Sequence, residues 1–419
     1  MKSLQEIFDE QLKEHCNPIR IGTEIVTKRL EKHGIKPNKK QIEAIKSLFK
    51  TSTNGVLNIQ IEDNQIKSAG YDSEEELAEK LKGLLDGIEE DLSSVANELL
   101  DNLPGLVQDS TDDISVSMLE ILKKRSKRML KEQNAIRKQF TTNLRENYGD
   151  AFNLLEMQYV IALEAGDNFN HEQRGNAASN NDLVFEALAR LHARACQVAS
   201  EILTLLKAGY ADGAHARWRT LHELSVISIF IRDNGNDIAE RYLLHNGIES
   251  YKASKIYQEN CNALGFQPIK VEELEEIEKR YQNLIKRYGT EYGTDYGWAA
   301  SVIKKGRPAF YDIEKKSGLD HLRPFYKMAC NNVHAGTTGI LFKLGLCEES
   351  GDILLAGPSN IGLTDPGQSA AISLSQITTT FILLNPNIDR IVTSKVLLNL
   401  DREIGNVFWE CEQKIRNYN

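Results

Sequence analysis

The segment Ala214-His215-Ala216-Arg217-Trp218-Arg219-Thr220-Leu221-His222-Glu223-Leu224-Ser225 places two arginines, two histidines and a glutamate within nine residues. Arginine offers a planar fork of donors to phosphate or carboxylate, and histidine exchanges a proton near neutral pH. Together they suit anion binding or proton transfer at a phosphate. The segment runs directly into Val-Ile-Ser-Ile-Phe-Ile at 226–231, apolar on nearly every face, so the pattern predicts a buried central helix. Charges on such a helix are costly unless paired. Arg219 and Glu223 are four apart and can form an ion pair, while His215, Arg219 and His222 share a face. Arg217 and His222 are five apart, which turns them about 140° from one another around the axis.

A second polar constellation follows in Tyr326-Lys327-Met328-Ala329-Cys330-Asn331-Asn332-Val333-His334-Ala335-Gly336. Read as one helix over 319–345, it aligns Tyr326, Cys330, Val333 and Gly336 on one stripe and Asn331 with His334 on the next. Two readings of the pooled residues stand side by side. In one, His215, Arg217, Arg219, His222, Glu223, Asn331 and His334 build a phosphate site. In the other they form a polar network that locks the packing of the bundle.

The pairing of an R-x-x-x-E helix (Arg219, Glu223) with a later V-H-A-G segment (333–336) resembles an uncharacterised bacterial domain family of unknown function, over roughly residues 182–345. The R-x4-H spacing of Arg217 and His222 is similar to the R-x4–6-H motif of HEPN-type ribonucleases. That likeness implies an all-α, commonly dimeric protein of the bacterial toxin or phage-defence kind. It implies metal-independent RNA cleavage by attack of a 2′-hydroxyl on the adjacent phosphate. His222 would then be the general acid/base and Arg217 would stabilise the developing charge, with no cofactor and no metal. RNA, a second copy of the chain and a neutralising antitoxin are the partners implied. Two positions depart from the pattern: Trp218 follows the motif arginine where a polar residue is usual, and Arg219–Glu223 competes as the organising pair.

Helical periodicity accounts for most of the elements that must position these residues. It covers 4–16, 20–33, 38–51, 73–92, 121–147 and 151–165, then 182–208, 212–232, 236–263, 271–288, 368–384 and 387–416. Residues 56–61 alternate with period two and predict the one β element, a small hairpin near 56–68. The polar stretch 166–181 reads as a linker, and 289–297 and 351–367 read as glycine-rich loops that can line a small-molecule pocket. Glu240, Arg241, Tyr242 and His245 read as surface or capping residues. The expected fold is an all-α multi-helix bundle with at most that hairpin. It comprises an N-terminal helical region (1–61), an acidic-then-basic segment (62–147), a helix and linker (148–180) and a C-terminal bundle (181–419) that carries the site.

Composition narrows the chemistry. No phosphate-loop, dinucleotide-fold, H-E-x-x-H, G-x-S-x-G or E-x-x-H motif occurs, which argues against nucleotide hydrolysis, dinucleotide redox, zinc proteolysis and helix-bundle di-metal chemistry. The six cysteines contain no C-x-x-C pair, and no signal-peptide run or membrane-length apolar stretch is present, so a cytoplasmic location is expected. The net charge of −9 is a sum of unlike parts: 62–120 carries 17 acidic and 3 basic residues, and 121–147 carries 9 basic and 2 acidic ones. Either the two blocks dock on one another, or the acidic block masks a basic surface meant for a polyanion such as RNA. A non-enzymatic helical interaction protein, with the Arg/His/Glu cluster as its internal network, is the alternative to the ribonuclease.

Overall fold

A computed structural model of the chain describes residues 3–50, 59–346 and 353–418, and all of its regular elements are helical. In order these are α1 (Leu4–His15), α2 (Pro18–Lys32), α3 (Lys39–Lys50), α4 (Asp63–Ser68), α5 (Glu74–Lys80), α6 (Ile88–Ser179), α7 (Leu183–Lys207) and α8 (Ala211–Leu244). They continue with α9 (Asn246–Asn260), α10 (Val271–Tyr288), α11 (Ala300–Ile303), α12 (Phe310–Lys316), α13 (Arg323–Asn331), α14 (Thr337–Leu341), α15 (Thr364–Ile382) and α16 (Ile388–Tyr418). The protein is an all-α, multi-helix fold. It divides into two compact units, residues 1–131 and 132–419.

The first unit closes around Val26, Leu30, Ile35, Ile45, Ile66 and Leu77. Arg29 ties its far end down by donating to the carbonyls of Leu84 and Asp86 and to the Asp91 carboxylate. The hairpin expected near 56–68 does not form as drawn. Residues 56–58 lie outside the described part, and Asp63–Ser68 is the short helix α4. The side chain of Gln65 accepts from the Glu62 backbone N–H at 3.2 Å, which starts a helix there and turns Ile66 into the core.

In the second unit α7, α8, α15 and α16 pack with the C-terminal part of α6 around one large core. Trp218 sits fully buried in it, donating its indole N–H to Ser373 Oγ at 3.0 Å. Asp182 caps α7 by accepting from Phe185 N at 2.9 Å. α8 is interrupted at Gly235, whose φ of +78° belongs to the left-handed side where glycine is favoured.

The stretch 166–181, expected as a linker, is helical up to Ser179. Its polar residues face solvent while Phe169 and Ala177 turn into the core, and Gly166 lies where a Cβ would collide with the buried His192 ring. That glycine is a helix–helix contact, not a breaker. Gly166→Ala should therefore destabilise by about 1–3 kcal/mol through overpacking, read as a lower urea midpoint at unchanged m.

The helix expected over 319–345 is also broken. α13 ends at Asn331, residues 333–336 leave the helix, and α14 begins at Thr337. Val333 and His334 are exposed as a result, so the stripe drawn through Val333 and Gly336 does not exist.

Candidate functional site

α8 presents its polar residues in three directions, and each set meets a different neighbour. Arg217 forms an ion pair with Glu201 of α7 and donates to Thr220 Oγ1 at 3.3 Å. His222 lies on another side with no exposed surface, its Nε2 donating to Glu314 Oε1 of α12 at 2.9 Å. The rings of Trp218, Tyr326 and Phe310 enclose it, with centroids 5.3, 5.6 and 6.1 Å away. Arg217 and His222 therefore share no concave surface in the chain, as their angular separation on a helix requires.

Glu314 is equally buried, and its second oxygen receives Arg323 Nη1 of α13 at 2.9 Å. The chain His222–Glu314–Arg323 thus ties α8, α12 and α13 together through a carboxylate with both oxygens engaged. His215 is fully buried and stacked on Trp218 with centroids 5.4 Å apart. Neither of its nitrogens has a hydrogen-bond partner, and burial holds its imidazole down at about 4. A buried neutral ring of this kind is packing material, not a proton relay.

The third set reaches the surface, as the Arg217–Glu201 pair also does. Arg219 pairs with Glu223 at 3.0 Å, and the two side chains remain 27% and 20% exposed. Tyr326 donates to Glu223 Oε1 at 2.6 Å, and the Arg219 guanidinium rests 5.0 Å from the Tyr326 ring centroid. Arg323 lies 5.0 Å from the same ring. Burial, followed by the bond to Glu223, pushes the Tyr326 phenol far above its ordinary range, so it serves as a donor at every accessible pH. Arg219 Nε also donates to Cys330 Sγ at 3.4 Å. The N–H of His334 in turn bonds to the Cys330 carbonyl at 3.1 Å, so the exposed His334 is anchored one turn beyond the residue that Arg219 touches. Asn331 is half-buried at the end of α13 between them.

The structure therefore gathers Arg219 and Glu223 with the segment bearing Asn331 and His334. It assigns His215 and His222 to the core and leaves Arg217 on the α7 side. Glu314, Arg323 and the role of Tyr326 escape a reading based on spacing. Glu314 lies 92 residues from His222, in a seven-residue helix with no motif of its own. His245 caps α8 but is buried, facing the carbonyls of Tyr292 and Thr294 at 3.2 and 3.0 Å. Among the described residues no three His, Cys, Asp or Glu side chains group as a metal site. Among them, too, no helix is long and apolar enough to cross a membrane.

The charged blocks also differ from expectation. Residues 88–120 of the acidic block and the basic block that follows are consecutive parts of the single helix α6, so these two stretches do not fold back on one another. Within the second unit, Lys138, Arg145 and Lys207 line a cleft of about 840 Å³ along α6.

Residues 185–352 match a family of unknown function, DUF5677, and this span holds every residue of the three sets from Arg217 to His334. The match covers less than half of the chain. No curated protein and no solved structure matches it.

Proposed function

We propose that the Arg219–Glu223–Tyr326 cluster and the segment leading to His334 form a phosphodiester-recognition site, and that the protein binds and cleaves RNA without a metal. The observation that carries this reading is the tether from Arg219 through Cys330 to His334: an exposed histidine whose backbone is anchored one turn from a thiol that touches a partly exposed guanidinium. In this assignment Arg219 faces the phosphate, held in place by Glu223 and by the Tyr326 ring. His334, in place of His222, moves the proton: it protonates the departing 5′-oxygen as the neighbouring 2′-hydroxyl attacks phosphorus, with the hydroxyl proton passing to solvent. A bacterial toxin or defence effector is the class that such an activity suits.

The test is a labelled RNA pool incubated in EDTA. Wild-type protein should shorten it, and His334→Ala should lower the rate by about 10²–10⁴-fold. Because His334 is exposed, that variant should unfold within about 0.5 kcal/mol of wild type. Arg219→Lys keeps the charge but loses the fork and should weaken RNA retention. Equal cleavage by wild type and His334→Ala would overturn the reading.

The second reading is the interaction protein. It is favoured by the His222–Glu314–Arg323 chain, whose histidine and carboxylate are fully buried, and by Ile340, Leu341 and Phe342, which stand 67, 83 and 51% exposed just after the site. Absence of RNA binding together with an intact fold would select it.

A further inference from the structure

The middle of α6 is a helix with no cover. Nearly every described side chain between 107 and 139 is exposed, yet the segment carries large apolar residues. Eleven lie exposed between 100 and 136: Leu100, Val107, Ile114, Val116, Met118, Leu119, Ile121, Leu122, Met129, Leu130 and Ile136. Isolated helices in water gain little from propensity, and a helix exposed on all sides normally needs a partner for its apolar stripe.

Seven of the eleven are not scattered. At about 100° per residue, Leu100, Val107, Ile114, Met118, Leu122, Met129 and Ile136 fall within about 40° of one line along the helix. Their spacing is also palindromic. Val107 and Met129 are equidistant from Met118, as are Ile114 and Leu122, and as are Leu100 and Ile136. A seam that reads the same from either end matches itself when a second copy is turned end for end.

Charge selects the same orientation. Residues 88–120 hold nine acidic and no basic side chains, and 121–131 hold six basic and no acidic ones. A parallel pair would set acid along acid and base along base. An antiparallel pair centred on Met118 lays residues 100–113 of each helix, acidic at 101, 109, 112 and 113, along 123–136 of the other, which holds all six basic side chains of 121–131. Asp101 of one helix and Arg137 of the other then project to the same side of the seam, at levels about 3 Å apart.

We infer that α6 pairs with the same helix of a second copy as an antiparallel coiled coil, about a two-fold axis at Met118. The acidic block is the partner of the basic block after all, but in the other subunit. Such a contact is isologous and closes at two chains. It rests on none of the residues of the proposed RNA site.

Light scattering on the full-length protein at low micromolar concentration should give twice the chain mass, and Ile114→Glu with Leu122→Glu should halve it. In a Cys16→Ser background, oxidised Met118→Cys should form a disulfide-linked dimer. Val107→Cys alone should not, and Val107→Cys combined with Met129→Cys should. A monomeric wild type, a mass unchanged by the glutamate pair, or cross-linking by Val107→Cys alone would each overturn the inference.

Discussion

Glu314→Ala is expected to lower the unfolding free energy by about 3–5 kcal/mol, read as a fall in the urea midpoint. The carboxylate is fully buried and takes His222 Nε2 on one oxygen and Arg323 Nη1 on the other, each at 2.9 Å. Removing it strands two donors of unequal freedom. Arg323 keeps 24% of its side chain exposed and can turn toward water. His222 cannot: it has no exposed surface, and its Nδ1 is already without a hydrogen-bond partner. Most of the loss is therefore the desolvation of a ring left with neither nitrogen bonded, not the attraction between charges. Two further variants separate these terms. Glu314→Gln preserves shape and one oxygen acceptor and should cost less than alanine. Combining His222→Leu with Glu314→Leu should cost less than the sum of the two singles, because each single leaves the other group buried and unpaired. A Glu314→Ala loss below about 1 kcal/mol would show that the chain from α8 to α13 holds nothing in place.

How much of this was legible in the sequence depends on the range of each interaction. The apolar run at 226–231 marks α8 as central, the helical periodicity over 182–208 recovers α7, and the Arg219–Glu223 pair is readable from a spacing of four. Each is settled within a single helix. The R-x4-H spacing singles out Arg217 and His222, but five residues on a helix turn two side chains apart, and the bundle gives each a separate partner. Those partners, Glu201 and Glu314, come from other helices and carry no local signal. The stretch 166–181 misleads for a related reason. A helix buried along a narrow strip needs only Phe169, Ala177 and the close approach at Gly166, so its other positions can be as polar as a loop. The second arm of the expected hairpin fails because a period-two reading does not weigh the cap between Glu62 and Gln65, which makes residues 63–68 helical. The seam on α6 is visible in the sequence as a stripe; its palindrome acquires meaning only once the helix is seen to be continuous and uncovered.

Acid should destabilise this protein, and two buried histidines outside the proposed RNA site contribute to the effect. His192 and His215 are buried, and burial pushes each imidazole from the ordinary 6.5 down to about 4. In the unfolded chain both return to about 6.5, so the folded state binds fewer protons between those values. Their contribution to stability is complete above pH 6.5 and is lost as pH falls toward 4, by about 3 kcal/mol for each ring. Asp401 works in the opposite sense. Burial raises its carboxyl to about 6, although Ser375 and Gln158 donate to it. It favours folding below about 4 and loses that contribution as pH rises through 6, so it offsets roughly one histidine over the same window. For these three groups together the expectation is a loss of about 3 kcal/mol between pH 6.5 and 4, measured by comparing the urea midpoints of wild type, His215→Phe and Asp401→Asn across that range. His215→Phe isolates one contribution. The ring stacks on Trp218 and neither nitrogen is bonded, so phenylalanine keeps the stack, removes an unsatisfied polar group and should flatten the acid limb while holding or raising stability at pH 7. Asp401→Asn keeps the acceptor oxygen for Gln158 and Ser375 but removes the titration, so its acid limb should be steeper than that of wild type. An acid limb unchanged by His215→Phe would mean that the ring is hydrated or charged in the folded state, and the stacked neutral imidazole would have to be given up.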